Sequence, residues 1–234
     1  MRYSVIFASL SLCAMGLYAD TAADRLQDSA EVMKEIMQTP DKGIPQDLIA
    51  KARCIMIVPG LKKGAFIVGG EYGKGFAMCR RPGSQAWGAP AAIRMEGGSV
   101  GFQIGGSSTD VVVLVMDQKG MDHLMSDNFK LGADASIAGG PVGRTAAAAT
   151  DLELHAEMLS WSRARGAFAG VSLNGAVVQP DKKANEELYG HSMDNREILN
   201  SNMAPPAAAR QLIAELDRYS AHTGAAGTAS RESH

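Results

Sequence analysis

The chain has 234 residues, of which 46% are hydrophobic and 21% are charged, and its formal net charge is -2. This length and composition suffice for one sizeable globular domain and exclude wholesale disorder. The near-neutral charge argues against a nucleic-acid-binding protein, which would normally carry a strongly basic face. The 26 glycines favour a turn-rich β architecture over a helical bundle.

Residues 1–19 are predicted to be a cleavable signal peptide. Arg2 supplies a short positive region, residues 5–17 are apolar, and Ala19 is a small residue just before a cut ahead of Asp20. The apolar run is too short to span a bilayer stably; a short buried helix is the alternative. Lipidation at Cys13 is less favoured because the residue before it is larger than such motifs prefer. We therefore expect a periplasmic or secreted protein.

Removal of the signal peptide leaves two cysteines, Cys54 and Cys79. In an exported protein an even pair of cysteines can form a disulfide. Two buried free thiols are the alternative, since free cysteines are common in protein cores. The sequence leaves both readings open.

Two helices are predicted at the start of the mature chain. Residues 20–39 carry apolar side chains at helical spacing, and Pro40 ends the helix. Its polar face is acidic, whereas helices that lie on membranes normally carry Lys and Arg there. Docking of this helix on its own domain is therefore favoured over membrane binding. Residues 44–52 form a second, short helix.

Strands are predicted from Cys54 onward, with a turn at Pro59-Gly60. The central stretch, residues 97–117, contains two glycine pairs and ends in the β-branched run 111–116, which is typical of a strand buried on both faces. We interpret it as one bent core strand. The glycines before the run suggest a sharp bend or a close approach of another backbone.

The remaining elements follow in order along the chain. Asp117 is a candidate N-cap for a short helix up to residue 126. Residues 129–137 and 150–163 are read as strands, and Asn174-Gly175 predicts a hairpin between strands 167–173 and 176–179. A polar helix starts at Pro180, and another helix covers residues 207–219.

Two glycine-rich motifs invite a catalytic or phosphate-binding interpretation. Residues 97–101 match G-x-S-x-G, but a nucleophile elbow needs a helix directly after Ser99, and a strand is predicted there. Residues 69–75 resemble a phosphate loop but fail its spacing and lack the Ser or Thr after Lys74, so a hairpin turn is favoured. No catalytic residue, cofactor or metal site is predicted, since the histidines and cysteines lack metal-ligand spacing.

Basic residues in loops and at strand ends are the candidate binding site. Gathered on one rim, they could hold phosphate-bearing lipid headgroups through charge-assisted hydrogen bonds. Ordinary solubilising charge is the alternative for each one alone. The candidates are Lys62, Lys63, Lys74, Arg80, Arg81, Arg94, Lys130, Arg144, Arg163 and Arg165.

Many dispersed blocks of this sequence resemble the SYLF-domain family. Four of them are GSVGFQIG (98–105), FKLGADAS (129–136), SWSR (160–163) and GAFAGVSL (166–173). Further matching blocks are residues 58–60, 63–66, 69–70, 72–75, 108–110, 140–144, 185 and 189–190. The match covers residues 27–190 with its blocks in the same order, which makes it specific.

The resemblance implies a lipid-binding module rather than an enzyme. Eukaryotic members of the family bind phosphoinositides, yeast members also bind actin, and bacterial members are typically exported single-domain proteins. Eukaryotic phosphoinositide binding depends on a basic amphipathic N-terminal helix, whereas the corresponding helix here is acidic, which argues against strong phosphoinositide binding. An exported bacterial protein would not meet actin in its own cell.

The sequence therefore predicts a single α+β domain with a curved, barrel-like antiparallel β-sheet, flanking helices and an N-terminal amphipathic helix. Residues 20–204 form the SYLF-like domain, with a helical part at 20–52 and a β-rich core at 53–190. Residues 205–220 form a C-terminal helix, and residues 221–234 a disordered tail. The expected function is exported, non-catalytic binding of anionic membrane lipids. A structural or protein-interaction module and, less favoured, an esterase that uses Ser99 are the alternatives.

Overall fold

The computed structural model describes residues 20–39, 43–65, 69–99, 105–142, 155–164, 167–171 and 173–220. Within them the chain forms six α-helices and a nine-stranded sheet. The helices are α1 (Ala22–Gln38), α2 (Gln46–Lys51), α3 (Gln118–Leu124), α4 (Lys182–Tyr189), α5 (Asn195–Leu199) and α6 (Arg210–Ser220). The strands are β1 (Cys54–Ala65), β2 (Gly69–Cys79), β3 (Ala91–Ser99), β4 (Gly105–Val115), β5 (Phe129–Lys130), β6 (Ile137–Gly139), β7 (Met158–Ala164), β8 (Ala167–Gly170) and β9 (Val177–Pro180).

The strands form one curled half-barrel sheet in the order β5-β9-β3-β2-β1-β4-β7-β6, with β8 paired to β7. All described pairs are antiparallel except β6 with β7, so the sheet is mixed. The predicted α+β class and single domain are confirmed. No described helix combines the length and hydrophobicity needed to cross a membrane.

The central strands are buried on both faces. In β1, Ile55 and Ile57 pack under α1, α2 and α6, while Cys54, Met56 and Val58 pack against the other side. We call these the helix face and the opposite face. The β-branched run of β4 alternates in the same way, which confirms the prediction of a strand covered on both sides.

Helix α1 is docked on its own domain. Thr21 caps it through a reciprocal hydrogen-bond pair with Asp24, and the side chains of Leu26, Met33 and Ile36 are fully buried against the sheet and α6. A membrane-surface helix must offer its apolar face to lipid. That face of α1 is already covered, so the docked interpretation is the one that the structure supports. Pro40 lies outside the described residues.

The predicted turn at Pro59-Gly60 is wrong, because β1 continues through these residues as a β-bulge. The register shifts between Val58 and Leu61 on the β4 side, and Gly60 adopts a φ of 57°. Gly69-Gly75 is likewise strand β2 rather than a hairpin turn. A glycine tolerates either setting, so composition alone does not separate a bulge or a strand from a turn.

Residues 97–117 do not form one bent strand. Gly97 and Ser99 lie at the end of β3, which pairs with β2, whereas β4 starts at Gly105 and pairs with β1. Two strands therefore separate β3 from β4 in the sheet. The glycines of this stretch lie opposite residues of neighbouring strands, as Gly106 on β4 does opposite Gly64 on β1.

The predicted Asn174-Gly175 hairpin is also wrong. Gly175 does make a turn, with a φ of 95°, but β8 pairs with β7 while β9 pairs with β3 and β5 on the other side of the sheet. The dipeptide determines local backbone geometry, and the strand partners are set by contacts remote in sequence.

The helices were predicted more accurately than the strand pairing. Helices α1 and α2, the Asp117-capped α3, α4 and α6 are confirmed, while the short α5 was not predicted. The strand predicted at 150–163 begins only at Met158 within the described part. The predicted signal peptide, the predicted strand start at 150–154 and the tail at 221–234 lie outside the described residues.

Candidate functional site

Four of the ten predicted lipid-binding cations form ion pairs within the protein. Side-chain nitrogens of Lys63, Lys74 and Arg94 lie 3.2 Å, 2.7 Å and 3.3 Å from carboxylate oxygens of their partners. These partners are Glu71, Asp181 and Glu96, and Arg163 similarly pairs with Asp110 and Glu35.

The predicted cations also do not share one rim. Alternation along the strands places Lys63 on the opposite face, and Lys62, Lys74, Arg94 and Arg163 on the helix face. Lys130 is exposed on β5, near one end of the strand order. Arg144 and Arg165 lie outside the described residues.

Arg80 and Arg81 are different, because they line a cavity of about 540 Å³ together with Lys51 and Arg53. We call this cavity the basic pocket. It lies between the end of α2, the start of β1, the loop after β2 and α3. None of the described residues that line it is acidic, so its walls carry four positive charges.

Two neighbouring strand ends bring the arginines together. Cys54 and Cys79 are the first register pair between β1 and β2 and are joined by a disulfide. Arg53 precedes Cys54 and Arg80 follows Cys79, and the Arg80 N–H donates to the Arg53 carbonyl at 2.8 Å. The bridge and this hydrogen bond hold the two sides of the basic pocket in a fixed register.

Arg80 anchors the pocket wall. Its guanidinium lies 4.0 Å from the centre of the Trp87 ring and donates to the carbonyls of Ile49, Ala52 and Gln85. Burial lowers its pKa, while the charge of Asp217 opposes that shift. An arginine stays protonated at neutral pH even so. Because most of its N–H groups already donate to carbonyls of the protein, Arg80 contributes to the pocket mainly its positive charge and its shape.

The other three cations are available to a ligand. Arg81 is half-buried, and its Nε is buried without a hydrogen-bond partner among the described residues. Arg53 is exposed, and its guanidinium donates to the Gln118 amide oxygen at 3.2 Å. Lys51 makes a solvent-exposed pair with Asp47 at 3.6 Å, a contact of little strength. Such a set can hold a phosphate-type anion by charge-assisted hydrogen bonds.

Lys51 and Arg53 were not among the candidates from sequence. The sequence nevertheless contains a pattern that indicates a role for Arg53. If Cys54 and Cys79 are taken as bridged, the residues on either side of them must meet, and two of these, Arg53 and Arg80, are arginines. With two free thiols, by contrast, the sequence does not require Arg53 and Arg80 to lie close together.

Ser99 occupies a strand position, not an elbow. Its backbone pairs with Gly69 at the end of β3, and residues 100–104 lie outside the described part of the chain. Among the described residues, no group of three or more His, Cys, Asp or Glu side chains is arranged to hold a metal ion.

Comparison with known proteins gives one family match. The family model Ysc84, described as "Las17-binding protein actin regulator", matches residues 96–219. This range runs from the second half of β3 to α6. It therefore includes β4 to β9 and the helices α3 to α6, but not α1 or α2.

The relatives include longer proteins from eukaryotes. The human SH3 domain-containing YSC84-like protein 1 is 32% identical over 202 residues, which are 86% of this chain and 58% of that protein. LAS seventeen-binding protein 3 of Saccharomyces cerevisiae is 32% identical over 180 residues, 76% of this chain and 39% of that protein. The chain thus spans roughly two fifths to three fifths of the length of these relatives.

Proposed function

Because the chain belongs to the Ysc84, or SYLF-domain, family, we propose that it is an exported, non-catalytic module that binds anionic lipid headgroups through the basic pocket. The observation that carries this proposal is the composition of the pocket walls: Lys51, Arg53, Arg80 and Arg81, with no acidic residue among those described there. A cavity of about 540 Å³ is within the usual range for small-molecule sites.

The chemistry of the pocket suits a phosphate group. Arg53 and Arg81 can each present N–H groups in a planar fork, which matches phosphate oxygens. Lys51 adds a mobile point charge at the end of α2. Each basic side chain near an anionic membrane surface contributes about 1 kcal/mol of attraction. The docked helix α1 takes no part, because its apolar face is buried in the domain.

Export is supported by two features. The first is the signal-peptide pattern of residues 1–19. The second is the Cys54–Cys79 disulfide, since such bridges persist in oxidising compartments and are rare in the cytosol. We therefore propose that the protein is periplasmic or secreted. Mass spectrometry of the exported protein should find an N-terminus at Asp20, and a mature protein that retains residues 1–19 would contradict this.

Vesicle co-sedimentation tests the lipid proposal. We expect the protein to bind vesicles that contain anionic lipid, with binding that falls steeply as salt rises, and to bind neutral phosphatidylcholine vesicles far less. Replacing both Arg53 and Arg81 by Ala should weaken binding about tenfold or more. The matched control replaces Lys182 and Lys183 on α4, two exposed cations outside the pocket, and should bind like the wild type. Absence of binding to every lipid composition at low salt would refute the proposal.

Protein binding is the second candidate function. The family description and the name of the Saccharomyces relative both refer to binding of Las17, a protein partner. The corresponding role for this chain would be an interaction or structural module of the cell envelope. It predicts a specific protein in crosslinking pulldowns together with indifference to lipid, so the vesicle assay separates the two candidates.

A further inference from the structure

A second, smaller cavity lies between α1 and the helix face of the sheet. Its volume is about 150 Å³, and its walls include Arg25 and Asp28 from α1, Pro59-Gly60 from the bulge, Lys62 and Tyr72. We call it the α1 cavity. It shares no lining residue with the basic pocket, so an inference about it stands apart from the proposed lipid site.

The bulge turns Lys62 into this cavity. Val58 and Leu61 both pack on the opposite face although they are three residues apart, whereas regular alternation would place them on different faces. The extra residue of the bulge restores the alternation one position later, so Lys62 lies on the helix face across from Tyr72. Without the bulge, Lys62 would point away from α1.

The bulge is itself held by hydrogen bonds. One Asp110 oxygen accepts from the Gly60 N–H at 2.9 Å, and the other accepts from Arg163 Nε and Nη2 at 2.9 Å and 2.7 Å. Asp110 is half-buried. The position of Lys62 is therefore supported by a chain of contacts that runs from β7 through β4 to β1.

Three charged groups at the α1 cavity have unmet interactions. Lys62 and Asp28 each lack an ion-pair partner among the described residues, and they do not pair with each other. Arg25 is only 7% exposed and pairs with Asp20, which also lines the cavity, at 3.4 Å, but its Nη1 is buried with no hydrogen-bond partner in the described part. Burial and the negative charges of Asp20 and Glu31 raise the pKa of Asp28, so an added positive charge beside Asp28 would be favourable.

Tyr72 supplies an apolar surface between the charges. Its side chain is 45% exposed, although large hydrophobic residues are otherwise mostly buried. In the adjoining groove α1 contributes the carboxylates of Asp28, Glu31 and Glu35, and the basic side chains, Lys62 and Arg163, come from the sheet. A ligand that carried only negative charge would meet Asp28, and one that carried only positive charge would meet Lys62 and Arg25.

We propose that the α1 cavity binds a small zwitterion, with its anionic oxygens at Lys62 and its ammonium group at Asp28. The Tyr72 ring covers the carbon chain that links the two ends. The volume of about 150 Å³ suits a molecule of a few heavy atoms rather than a drug-sized ligand. A phosphoethanolamine group and a small free amino acid both have this chemistry.

Isothermal titration calorimetry on the full chain tests the site. The zwitterions are O-phosphoethanolamine and glycine, and the half-ligands are inorganic phosphate and ethanolamine. We expect at least one zwitterion to bind at least tenfold more tightly than either half-ligand, because only a zwitterion satisfies both ends. Undetectable binding of both zwitterions, or equal binding of inorganic phosphate, would overturn the proposal.

The neighbouring lysine, Lys63, provides the control for variants of the α1 cavity. Lys62→Ala and Asp28→Asn should each weaken zwitterion binding about tenfold or more. Lys63→Ala removes the next cation along β1, which lies on the opposite face, and should bind like the wild type. Unchanged binding in Lys62→Ala would also overturn the proposal. Asp110→Asn keeps Lys62 but weakens its support, so it should reduce affinity less than Lys62→Ala does.

A final arm distinguishes the two sources of the ligand. The Arg53→Ala, Arg81→Ala protein lacks two of the four cations of the basic pocket, so the effect of adding Lys62→Ala to it on binding to phosphatidylethanolamine vesicles reports on the α1 cavity. Vesicle binding that Lys62→Ala removes would assign the site to a lipid headgroup. Zwitterion binding in solution without vesicle binding would assign it to a free small molecule. Either result supports the site, and neither depends on the outcome for the basic pocket.

Discussion

Arg163 on β7 and Asp110 on β4 lie directly across from each other, and two guanidinium nitrogens of Arg163 donate to a single Asp110 oxygen. Arg163 also pairs with Glu35 on α1. The sequence had suggested Arg163 as a lipid ligand. In the structure it instead joins β7, β4 and α1, and through Asp110 it holds the backbone of the Gly60 bulge.

Loss of this contact should destabilise the fold. Asp110→Ala removes the acceptor of the Gly60 N–H and leaves Arg163, whose side chain is 25% exposed, with a weaker partner. We expect the free energy of unfolding to fall by about 1–3 kcal/mol, measured by urea denaturation. Lys182→Ala breaks a fully solvent-exposed pair with Asp194 and should change stability by less than about 0.5 kcal/mol. If the Asp110→Ala and Lys182→Ala proteins were equally stable, the structural role of Asp110 would be contradicted.

The elements that could be predicted from the sequence are those with local signals. The buried face of α1 follows from apolar residues at helical spacing, the start of α3 from the Asp117 cap, and the end of α4 from Gly190, which has a φ of 75°. The doubly buried β4 follows from its β-branched run. Each of these depends on residues within a few positions of one another.

The features that could not be predicted depend on contacts remote in sequence. Pro59-Gly60 has the composition of a turn, and only the paired β2 and β4 on either side make it a bulge. The ion pair of Lys74 with Asp181 joins residues about a hundred positions apart, and that of Arg163 with Asp110 joins residues about fifty positions apart. The predicted set of surface cations therefore contains both residues that are held in ion pairs and residues that are free to bind a ligand. The basic pocket could not be predicted from that set, because it is formed by strand ends that only the folded sheet brings together.

Arg80 and Arg81 are adjacent in sequence and should behave in opposite ways. Arg80→Ala removes three hydrogen bonds to carbonyls and the contact with Trp87, so it should lower the free energy of unfolding by about 2 kcal/mol or more. Arg81→Ala leaves those contacts intact, so it should retain wild-type stability and bind anionic vesicles more weakly. Thermal denaturation and co-sedimentation of both variants check this. A strongly destabilised Arg81→Ala protein would show that Arg81 is a structural residue instead.

The disulfide should be a major contributor to stability. It joins Cys54 and Cys79 across a sequence separation of 25, and closure of a loop of this length restricts the unfolded chain by about 3 kcal/mol. We expect the Cys54→Ala, Cys79→Ala protein to unfold at a lower urea concentration than the oxidised wild type. The reducing agent dithiothreitol should lower the midpoint of the wild type and leave that of the variant unchanged. If it shifts neither midpoint, the bridge does not contribute as proposed.

Tyr189 should make stability fall in alkaline solution. Its hydroxyl donates to the Pro90 carbonyl at 2.6 Å, and burial raises its pKa above the ordinary value of about 10. Between these two pKa values the unfolded chain has lost the phenol proton while the folded chain retains it. Unfolding therefore releases a proton, and the free energy of unfolding decreases as pH rises above about 10. The contribution is complete at lower pH.

Tyr189→Phe separates this effect from other alkaline titrations. At pH 7 the variant should be less stable by about 1 kcal/mol, because the Pro90 carbonyl loses its donor. Above pH 10 its stability should fall less steeply than that of the wild type, by up to about 1.4 kcal/mol for each pH unit, so the two curves converge. Urea denaturation between pH 8 and about 11.5 measures both slopes. Tyr72→Phe, at a side chain that is 45% exposed, should follow the wild-type curve, and parallel curves for the wild type and Tyr189→Phe would refute the assignment.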